Sequence, residues 1–260
     1  MSDTVGSSAG ESNRALSDNA AVSEHAELSP YDPIASLYDR WNTSVVEDIG
    51  FYVEEALLSG GPVLELGVGT GRIAVPIAQA GIDVIGVDSS APMLELCRER
   101  ARASGVAELL DLRLGDLRDP PVSENVPLAI SPFRAFLHLL SNEERRLALT
   151  RIRDLLRPGG RLVFDVFAPS SDDIAETHGR WIEREPEIFE RADWDAEKRL
   201  LTLQVRAPDG ETSMDLAWLS QPEWRELLER SGFAIEACYG WFDRSSYDGG
   251  PDMVFLASYR

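Results

Sequence analysis

A short glycine-rich loop constrains this chain more than any other feature. Residues 63–72 read VLELGVGTGR, so an apolar strand leads into a loop where Gly67, Gly69 and Gly71 alternate. Glycine permits positive φ and lets a ligand approach the backbone closely. Open α/β sheets bind their ligands at the carboxyl ends of strands, where this loop would lie. The loop therefore indicates a ligand site, although three glycines could also serve only a tight turn.

The residues around the loop bear on which ligand it holds. A dinucleotide fingerprint requires a third glycine three residues after the second, and that position is Arg72. Glu65 stands just before the loop, where its carboxylate would repel a pyrophosphate. A ligand with a cationic amino group and a sulfonium suits an acidic neighbourhood better. These residues favour S-adenosylmethionine over a nicotinamide dinucleotide, and an oxidoreductase stays only as a distant alternative.

The segments around the loop alternate between short apolar strands and helices. Strands are predicted over 62–66, 83–87, 110–114, 127–131 and 161–167, and helices over 48–59, 73–80, 91–104 and 143–156. The sequence RPGG at 157–160 is expected to stop the last of these helices. Such alternation is typical of βαβ units and a parallel sheet covered on both faces.

The pattern changes after Pro169. Strands over 187–193, 199–206 and 212–219 have no helix between them, so they predict an antiparallel meander. A helix over 222–231 and strands over 234–240 and 253–259 complete the pattern. Residues 1–29 are acidic and lack bulky apolar side chains, which predicts a disordered tail. We expect one domain over 30–260, in which 170–220 is an antiparallel β insertion that caps the substrate.

Two further acidic positions follow strands of the predicted sheet. Asp88 ends the second strand, where a carboxylate can accept hydrogen bonds from both ribose hydroxyls. Ser89 could add a bond there, and Met93 could pack on an adenine face. Asp116 could accept from the adenine amino group, with Leu117 beside the ring. Asp88 could instead cap the following helix, and Asp116 could serve only a turn.

The composition of the chain limits which binding partners and which cellular compartment are expected. The formal net charge of −20 opposes binding to a phosphate backbone, so nucleic acid is not expected as a partner. No apolar run is long enough for a membrane span, and residues 1–29 have no secretory signal pattern. The two cysteines are far apart in sequence and make no metal-type pair. We expect a cytoplasmic protein with neither a membrane nor a metal partner.

The ordered motifs resemble those of the class I S-adenosylmethionine-dependent methyltransferases. The matching stretches are 63–72, 84–94, 112–119 and 155–167, and the resemblance covers roughly 31–260. It implies a Rossmann-like seven-stranded sheet, mostly parallel, with the last strand antiparallel. Position by position, it assigns Glu65, Gly67, Gly69 and Gly71 to the methionine end, Asp88 to the ribose, Asp116 and Leu117 to the adenine, and Ser131 to the methyl group. It also implies a leading segment, with Tyr31 and Tyr38, that closes over the cofactor, although these tyrosines could instead only pack the first helix.

The chain departs from the narrower branches that this resemblance includes. Ser131–Pro132–Phe133–Arg134 stands where amino-methyltransferases of DNA bases carry their Asn/Asp-Pro-Pro-aromatic tetrapeptide. The Pro-Cys nucleophile of cytosine C5 enzymes and the paired-glutamate loop of protein arginine methyltransferases are also missing. The resemblance thus implies methyl transfer to O or N of a small molecule. A cofactor-binding protein without catalysis and a methyltransferase of macromolecules remain alternatives.

Candidate catalytic residues follow the fourth strand. His138 is the candidate general base that would take a proton from a hydroxyl or ammonium acceptor, although it could be a structural histidine at a helix start. Arg134 could bind an acceptor's carboxylate or phosphate, or pair with an acidic neighbour. Tyr31 and Trp241 are further candidates for the substrate site, although Trp241 could instead belong to the core of the meander. Asp165 is expected to make a buried structural bond, or else to face the pocket.

Overall fold

The computed structural model describes residues 29–43 and 46–259. The predicted disordered tail over 1–29 therefore lies outside the described residues, except for Ser29. The helices of the described residues are α1 (Tyr38–Trp41), α2 (Glu47–Ser59), α3 (Ala74–Gln79), α4 (Ala91–Ala103), α5 (Asn142–Leu155), α6 (Ser171–Thr177) and α7 (Gln221–Arg230), with short 3-10 helices at Asp32–Leu37, Ala107–Leu109 and Ala135–His138.

The strands fall into two sheets. They are β1 (Val63–Leu66), β2 (Val84–Asp88), β3 (Leu110–Leu114), β4 (Val126–Ser131), β5 (Leu156–Phe167), β6 (Trp181–Glu185), β7 (Ile188–Asp195), β8 (Leu200–Ala207), β9 (Gly210–Ala217), β10 (Phe233–Tyr239) and β11 (Asp252–Tyr259). The main sheet has the order β10-β11-β5-β4-β1-β2-β3, and the second sheet has the order β6-β7-β8-β9.

The main sheet confirms the predicted fold class. Its pairs β1–β2, β1–β4, β2–β3 and β4–β5 are parallel, whereas β11 is antiparallel to both β5 and β10. The chain builds outward from β1 to β3 on one side and continues from β4 on the other. The strand order therefore reverses between β1 and β4, and open α/β sheets bind ligands at the carboxyl ends of strands beside such a switch point.

Apolar side chains on the two faces of the main sheet belong to separate cores. One core joins Leu64 and Leu66 to buried residues of α5 and α7, such as Leu149 and Trp224. The other joins Val63 to residues of α2, α3 and α4. Alternate residues of a strand point to opposite faces, so the consecutive apolar residues of β1 serve both cores.

The second sheet is the predicted antiparallel insertion, with one strand more than the sequence indicated. β6 was missed because it reads WIERE, and exposed positions on both faces leave no apolar alternation to detect. Helix α6 was also missed, although Ser170 and Asp173 form a capping box at its start. Under this sheet, a third core packs Ile34, Leu37 and Trp41 against residues of β7, β8 and β9.

Helix α5 ends at Leu155, just before the sequence RPGG at 157–160 as predicted, and RPGG itself lies within strand β5. β5 begins at Leu156, directly after α5 ends, and its pairing with β4 jumps from Val126↔Leu156 to Leu128↔Arg161. Four residues therefore bulge out of the ladder. Gly159 has φ +78°, and a Cβ on Gly160 would lie 2.8 Å from the Arg157 carbonyl oxygen. Glycine is required here by the bulge.

Candidate active site

A cleft of about 470 Å³ lies at the carboxyl ends of β1, β2, β3 and β4. Most of the side chains singled out from sequence line it, although they are far apart in the chain. These are Tyr31, Tyr38, Gly67, Gly69, Asp88, Ser89, Met93, Asp116, Leu117 and His138. The structure thus brings ten of the predicted site residues around one cleft. Their contacts with a ligand stay predictions.

The glycine loop after β1 forms the floor of this cleft. Gly67, Gly69 and Gly71 have φ values of +77°, +54° and +80°, which side-chain-bearing residues rarely adopt. A Cβ on Gly71 would lie 2.6 Å from the sulfur of Cys97, so this glycine allows the loop to pack on α4. Gly67 and Gly69 line the cleft, whereas Gly71 is not part of its wall.

Asp88 organises this loop from the end of β2. One of its carboxylate oxygens accepts from the Gly69 N–H and the other from the Ser90 N–H, both at 2.8 Å. Burial raises the pKa of Asp88 above its usual value, although these hydrogen bonds oppose the shift. The cap of α4 is Ser90, whose hydroxyl accepts from the Met93 N–H. The helix-cap alternative for Asp88 is therefore wrong.

Asp116 closes the far end of the cleft. Its carboxylate accepts from the backbone N–H of Arg118 at 2.7 Å and pairs with the Arg118 guanidinium. That guanidinium also reaches Glu144 on α5 at 2.8 Å. Asp116 therefore serves the local turn, as one interpretation expected, and also lines the cleft.

Glu65 lies behind the loop and is almost fully buried, at 2% exposure. Its Oε2 atom is buried and has no hydrogen-bond partner among the described residues. Burial raises the pKa of Glu65 well above its usual value, while the nearby Arg72 guanidinium opposes the shift. An unpartnered buried acceptor is uncommon in proteins and calls for an explanation, such as a ligand that donates to it.

Ser131 does not line the cleft, although the resemblance of the chain to the methyltransferases places this residue near the methyl group. It ends β4 with no exposed surface, and its hydroxyl donates to the Leu66 carbonyl at 3.3 Å. This bond ties the ends of β4 and β1 together at the switch point, so Ser131 supports the site from behind.

Residues 29–41 lie across the cleft as a strap between its two sides. On the side of the main sheet, the Ser90 hydroxyl donates to Asp32 at 2.5 Å and the Thr70 hydroxyl donates to Asp39 at 2.6 Å. On the side of the insertion, the Thr212 hydroxyl donates to the Pro30 carbonyl at 2.6 Å. The strap is thus attached to both layers that enclose the cleft.

Tyr31 of the strap contacts His138 above the glycine loop. Its hydroxyl lies 2.9 Å from Nε2 of His138, and the two rings meet edge to face at 5.5 Å. Burial lowers the pKa of His138 to about 4, so its imidazole is neutral near pH 7. Tyr31 also meets the ring of Tyr38 at 5.6 Å. The aromatic strap therefore covers a neutral histidine.

Comparisons with known proteins agree with this geometry. Residues 63–160 match a family described as a methyltransferase domain. An uncharacterized methyltransferase of Geobacillus kaustophilus is 38% identical over 134 residues, which are 52% of this chain and 55% of that protein. Residues 63–160 of this chain are thus similar to a methyltransferase domain.

Solved structures show the same fold over most of this chain. The CcbJ methyltransferase from Streptomyces caelestis superposes with a TM-score of 0.77 and 24% identity, covering 90% of this chain and 99% of that one. CalS10, an amino pentose methyltransferase from Micromonospora echinaspora, superposes with a TM-score of 0.61 and 18% identity, covering 86% of this chain and 96% of that one. The chain spans about half the length of the curated relatives it matches.

The cleft suits S-adenosylmethionine as its cofactor. The carboxylates of Asp88 and Asp116 line it, and the unpartnered Oε2 of Glu65 lies behind its floor. A cationic ligand that donates hydrogen bonds fits this acidic set, whereas a pyrophosphate would be repelled. Within the described residues, no group of three or more His, Cys, Asp or Glu could hold a metal ion.

A chamber adjoins the cleft, between the main sheet and the insertion. It measures about 350 Å³ and is apolar on the insertion side, where Trp194, Leu201, Leu203 and Leu216 line it. Its polar wall carries charged side chains of both signs, namely Arg134, Asp173, Arg184, Glu190 and Asp252. Tyr31, Phe133, His138 and Met214 line both the cleft and this chamber.

Two more predicted residues lie away from the cleft. Arg134 lines the chamber and pairs with Asp252 at 2.9 Å, so both of its predicted contacts remain compatible with its position. Trp241 lines a neighbouring cavity of about 390 Å³, which Arg134 also borders. Sequence reasoning missed Phe133 and the insertion residues, although alternate apolar positions in β8 and β9 could have indicated a lining face.

Proposed function

We propose that this chain transfers the methyl group of S-adenosylmethionine to an oxygen or nitrogen atom of a small molecule. The observation that carries the proposal is the meeting of two cavities at one wall. The cleft over the glycine loop and the chamber under the insertion share Tyr31, Phe133, His138 and Met214. A methyl donor in the cleft and an acceptor in the chamber would meet at those four residues.

The cleft residues would hold the cofactor through complementary charge and shape. Glu65 would accept from the cationic amino end beyond Gly67 and Gly69, which leave the loop open to a close approach. Asp88 and Ser89 would bind the ribose, with Met93, Asp116 and Leu117 around the adenine. Tyr38 would cover the cofactor from the strap. Gly71 and Ser131 would act indirectly, through the packing of the loop and the tie between β4 and β1.

S-adenosylmethionine supplies an electrophilic methyl group on a good leaving group, so the chain must chiefly align the acceptor and exclude water. The strap and the insertion enclose the place where this would occur. A proton leaving the acceptor would pass to the Tyr31 hydroxyl as that hydroxyl donates its own proton to Nε2 of His138. Because the His138 pKa is about 4, His138 is a weak base. This favours a neutral amine acceptor over an alcohol.

Several features support a small acceptor. A chamber of about 350 Å³ is of the size that single small molecules fill. Its mixture of apolar and charged walls suits a molecule with a polar and an apolar side. CalS10 is described as an amino pentose methyltransferase, which is consistent with a nitrogen acceptor. The net charge of −20 disfavours nucleic acid as the acceptor.

We further propose that residues 170–220 act as the substrate cap of a domain over 30–260. Strands β7, β8 and β9 of this segment line the chamber. No helix of the described residues is long and apolar enough to cross a bilayer. Cys97 and Cys238 are both free thiols, and a reducing cytoplasm suits such a protein.

Calorimetric titration with S-adenosylmethionine, followed by methylation of an acceptor panel with labelled cofactor, tests the proposal. We expect binding, and methyl transfer to an amino sugar or related small amine. His138→Ala should lower turnover by no more than about 10²-fold, the low end for general-base catalysis, because a weak base contributes little with a neutral amine acceptor, and cofactor affinity should stay within about twofold. His178→Ala is the matched control, because this histidine accepts from the Trp194 N–H and lines none of the cavities described above.

The same measurements separate the alternatives. No cofactor binding by folded protein would refute the proposal. Binding without methyl transfer to any acceptor would leave a cofactor-binding protein, and transfer only to proteins or nucleic acid would refute the small acceptor.

A further inference from the structure

Strand β5 carries a buried carboxylate, Asp165, that the chemistry above does not use. Asp165 lies in β5 between the apolar residues Phe164 and Val166 and is only 6% exposed. Its carboxylate accepts three hydrogen bonds, from the Tyr52 hydroxyl at 2.7 Å and from the N–H groups of Phe133 and Arg134 at 2.8 Å and 3.1 Å. A charge at such a position is unfavourable unless it is well paired.

Both of those N–H groups belong to a strained turn. Phe133 and Arg134 have φ values of +55° and +65°, so two consecutive residues with side chains adopt the left-handed conformation. Such residues clash with their own backbone there, and single cases are already uncommon. In this conformation both N–H groups point at one carboxylate. The hydrogen bonds to Asp165 therefore stabilise the turn and offset the energetic cost of its left-handed conformation.

The turn sets the position of the wall between the two cavities. The ring of Phe133 lines both the cleft and the chamber, and it lies 5.0 Å from the Arg72 guanidinium. The guanidinium of Arg134 lies over the ring of Phe167. The 3-10 helix that carries His138 begins at the next residue, Ala135.

We propose that Asp165 is a positioning residue of the methyl-transfer site. By holding the N–H groups of Phe133 and Arg134, it fixes the left-handed turn that sets the shared wall and starts the helix bearing His138. The proposal rests on the proposed function, because the wall matters only where a donor and an acceptor meet across it. Asp165 itself touches neither of them.

The charge of Asp165 makes its action sensitive to pH. Burial raises its pKa to about 6, with an added contribution from Asp48, while the Tyr52 hydrogen bond and the Arg134 charge oppose the shift. Arg72 is a further cation whose charge interacts with Asp165. Hydrogen bonds to a charged acceptor are stronger than those to a neutral one. Protonation near pH 6 should therefore loosen both amides of the turn.

The first test measures the turn directly by nuclear magnetic resonance of the full chain. In wild type, the amide resonances of Phe133 and Arg134 should shift with a common midpoint near pH 6. In Asp165→Asn, both resonances should differ from wild type at pH 7.5 and lose that midpoint. Unchanged amide resonances in Asp165→Asn would overturn the proposal, because the carboxylate would then not hold the turn.

The second test measures the site with S-adenosylhomocysteine as the probe. Asp165→Ala should weaken its binding at least fivefold at pH 7.5, and added formate should restore it, since Asp165 lines the 390 Å³ cavity through which a small anion can enter. Chloride at equal ionic strength should not restore it. Glu55→Gln is the matched control, because Glu55 is also a buried carboxylate but pairs with Arg161 and Arg244.

The outcomes of the second test are distinct. Wild-type affinity in Asp165→Ala, or an equal loss in Glu55→Gln, would overturn the positioning role. If Asp165→Ala does not fold, the affinity of Asp165→Asn decides by the same fivefold criterion. Failure of wild type to bind S-adenosylhomocysteine would instead refute the proposed function.

Discussion

At the scale of single residues, three carboxylates around the glycine loop differ in how well the protein satisfies them. Asp88 accepts two backbone N–H groups and Asp165 accepts three donors, whereas Oε2 of Glu65 has no partner among the described residues. Well-satisfied carboxylates organise the backbone. The unsatisfied one is the acceptor best suited to a cationic ligand, because a buried polar atom without a partner is destabilising.

Asp88→Ala should weaken S-adenosylmethionine binding at least tenfold, a loss of about 1.4 kcal/mol. The change removes the proposed ribose acceptor and also the bond that holds the Gly69 N–H. Calorimetric titration measures the effect. Asp83→Ala is the control, since Asp83 is exposed just before the opposite end of the same strand. Unchanged affinity in Asp88→Ala would remove Asp88 from the ribose role.

His138 should make stability depend on pH in a defined direction. Its folded pKa of about 4 lies below the ordinary value of 6.5, so between these values the unfolded chain binds a proton that the folded chain does not. The free energy of unfolding should then fall as pH falls from 6.5 to 4, by up to about 1.4 kcal/mol per pH unit. The group's contribution is fully present above pH 6.5.

Urea denaturation of wild type and His138→Gln at several pH values isolates this contribution. The stability of wild type relative to the variant should decrease between pH 7 and pH 4.5. Asp165 titrates in the same range with the opposite sign, but it is present in both proteins and cancels in the difference. A difference that stays constant with pH would show that the imidazole is not held neutral.

At the scale of elements, the strap over 29–41 is joined to the rest mainly through its ends and its apolar face. Ile34 and Leu37 are fully buried against the insertion, and the Thr212 hydroxyl holds the Pro30 carbonyl. Pro30, Tyr31 and Tyr38 of this strap line the cleft. Its attachment to both layers therefore ties part of the cleft wall to the insertion.

Thr212→Val should loosen the strap while keeping the shape of the β9 side chain. We expect amide hydrogen exchange of residues 32–37 to accelerate at least threefold, because the bond to Pro30 is lost. Thr202→Val on β8 is the control, since its hydroxyl donates to Asp215 within the insertion. Equal exchange rates in both variants would show that the Thr212 bond does not hold the strap.

At the scale of the whole molecule, the net charge of −20 acts against compactness. Many ion pairs cross the surface, such as Arg113 with Asp111 and Glu124, but each exposed pair contributes little. The unpaired excess of carboxylates repels itself at low ionic strength. Salt screens this repulsion over a Debye length of about 10 Å at 0.1 M.

Raising sodium chloride from 20 mM to 500 mM should therefore raise the melting temperature at pH 7.5. Differential scanning calorimetry measures the shift, and sodium sulfate at equal ionic strength tests for effects specific to chloride. A melting temperature that falls with salt would mean that attractive ion pairs outweigh the excess negative charge.

Local pattern was enough to predict most of the architecture. Apolar runs around residues 63–66 and 84–88, separated by helical stretches, predicted the parallel sheet, and the glycines predicted where the ligand cleft lies. Strand β6 was not predicted, because a strand exposed on both faces shows no alternation of apolar and polar residues. The resemblance added the antiparallel last strand, which no local pattern contains.

The sequence by itself determined the glycine loop, the order of strands and helices, and the acidic positions at the strand ends, because those depend on neighbours within a few residues. Only the tertiary structure decided that Tyr31 meets His138, 107 positions away, and that Asp165 holds the turn at Phe133. Such contacts depend on how the strap, the insertion and the main sheet stack together. That stacking is set by the burial of apolar faces from distant segments.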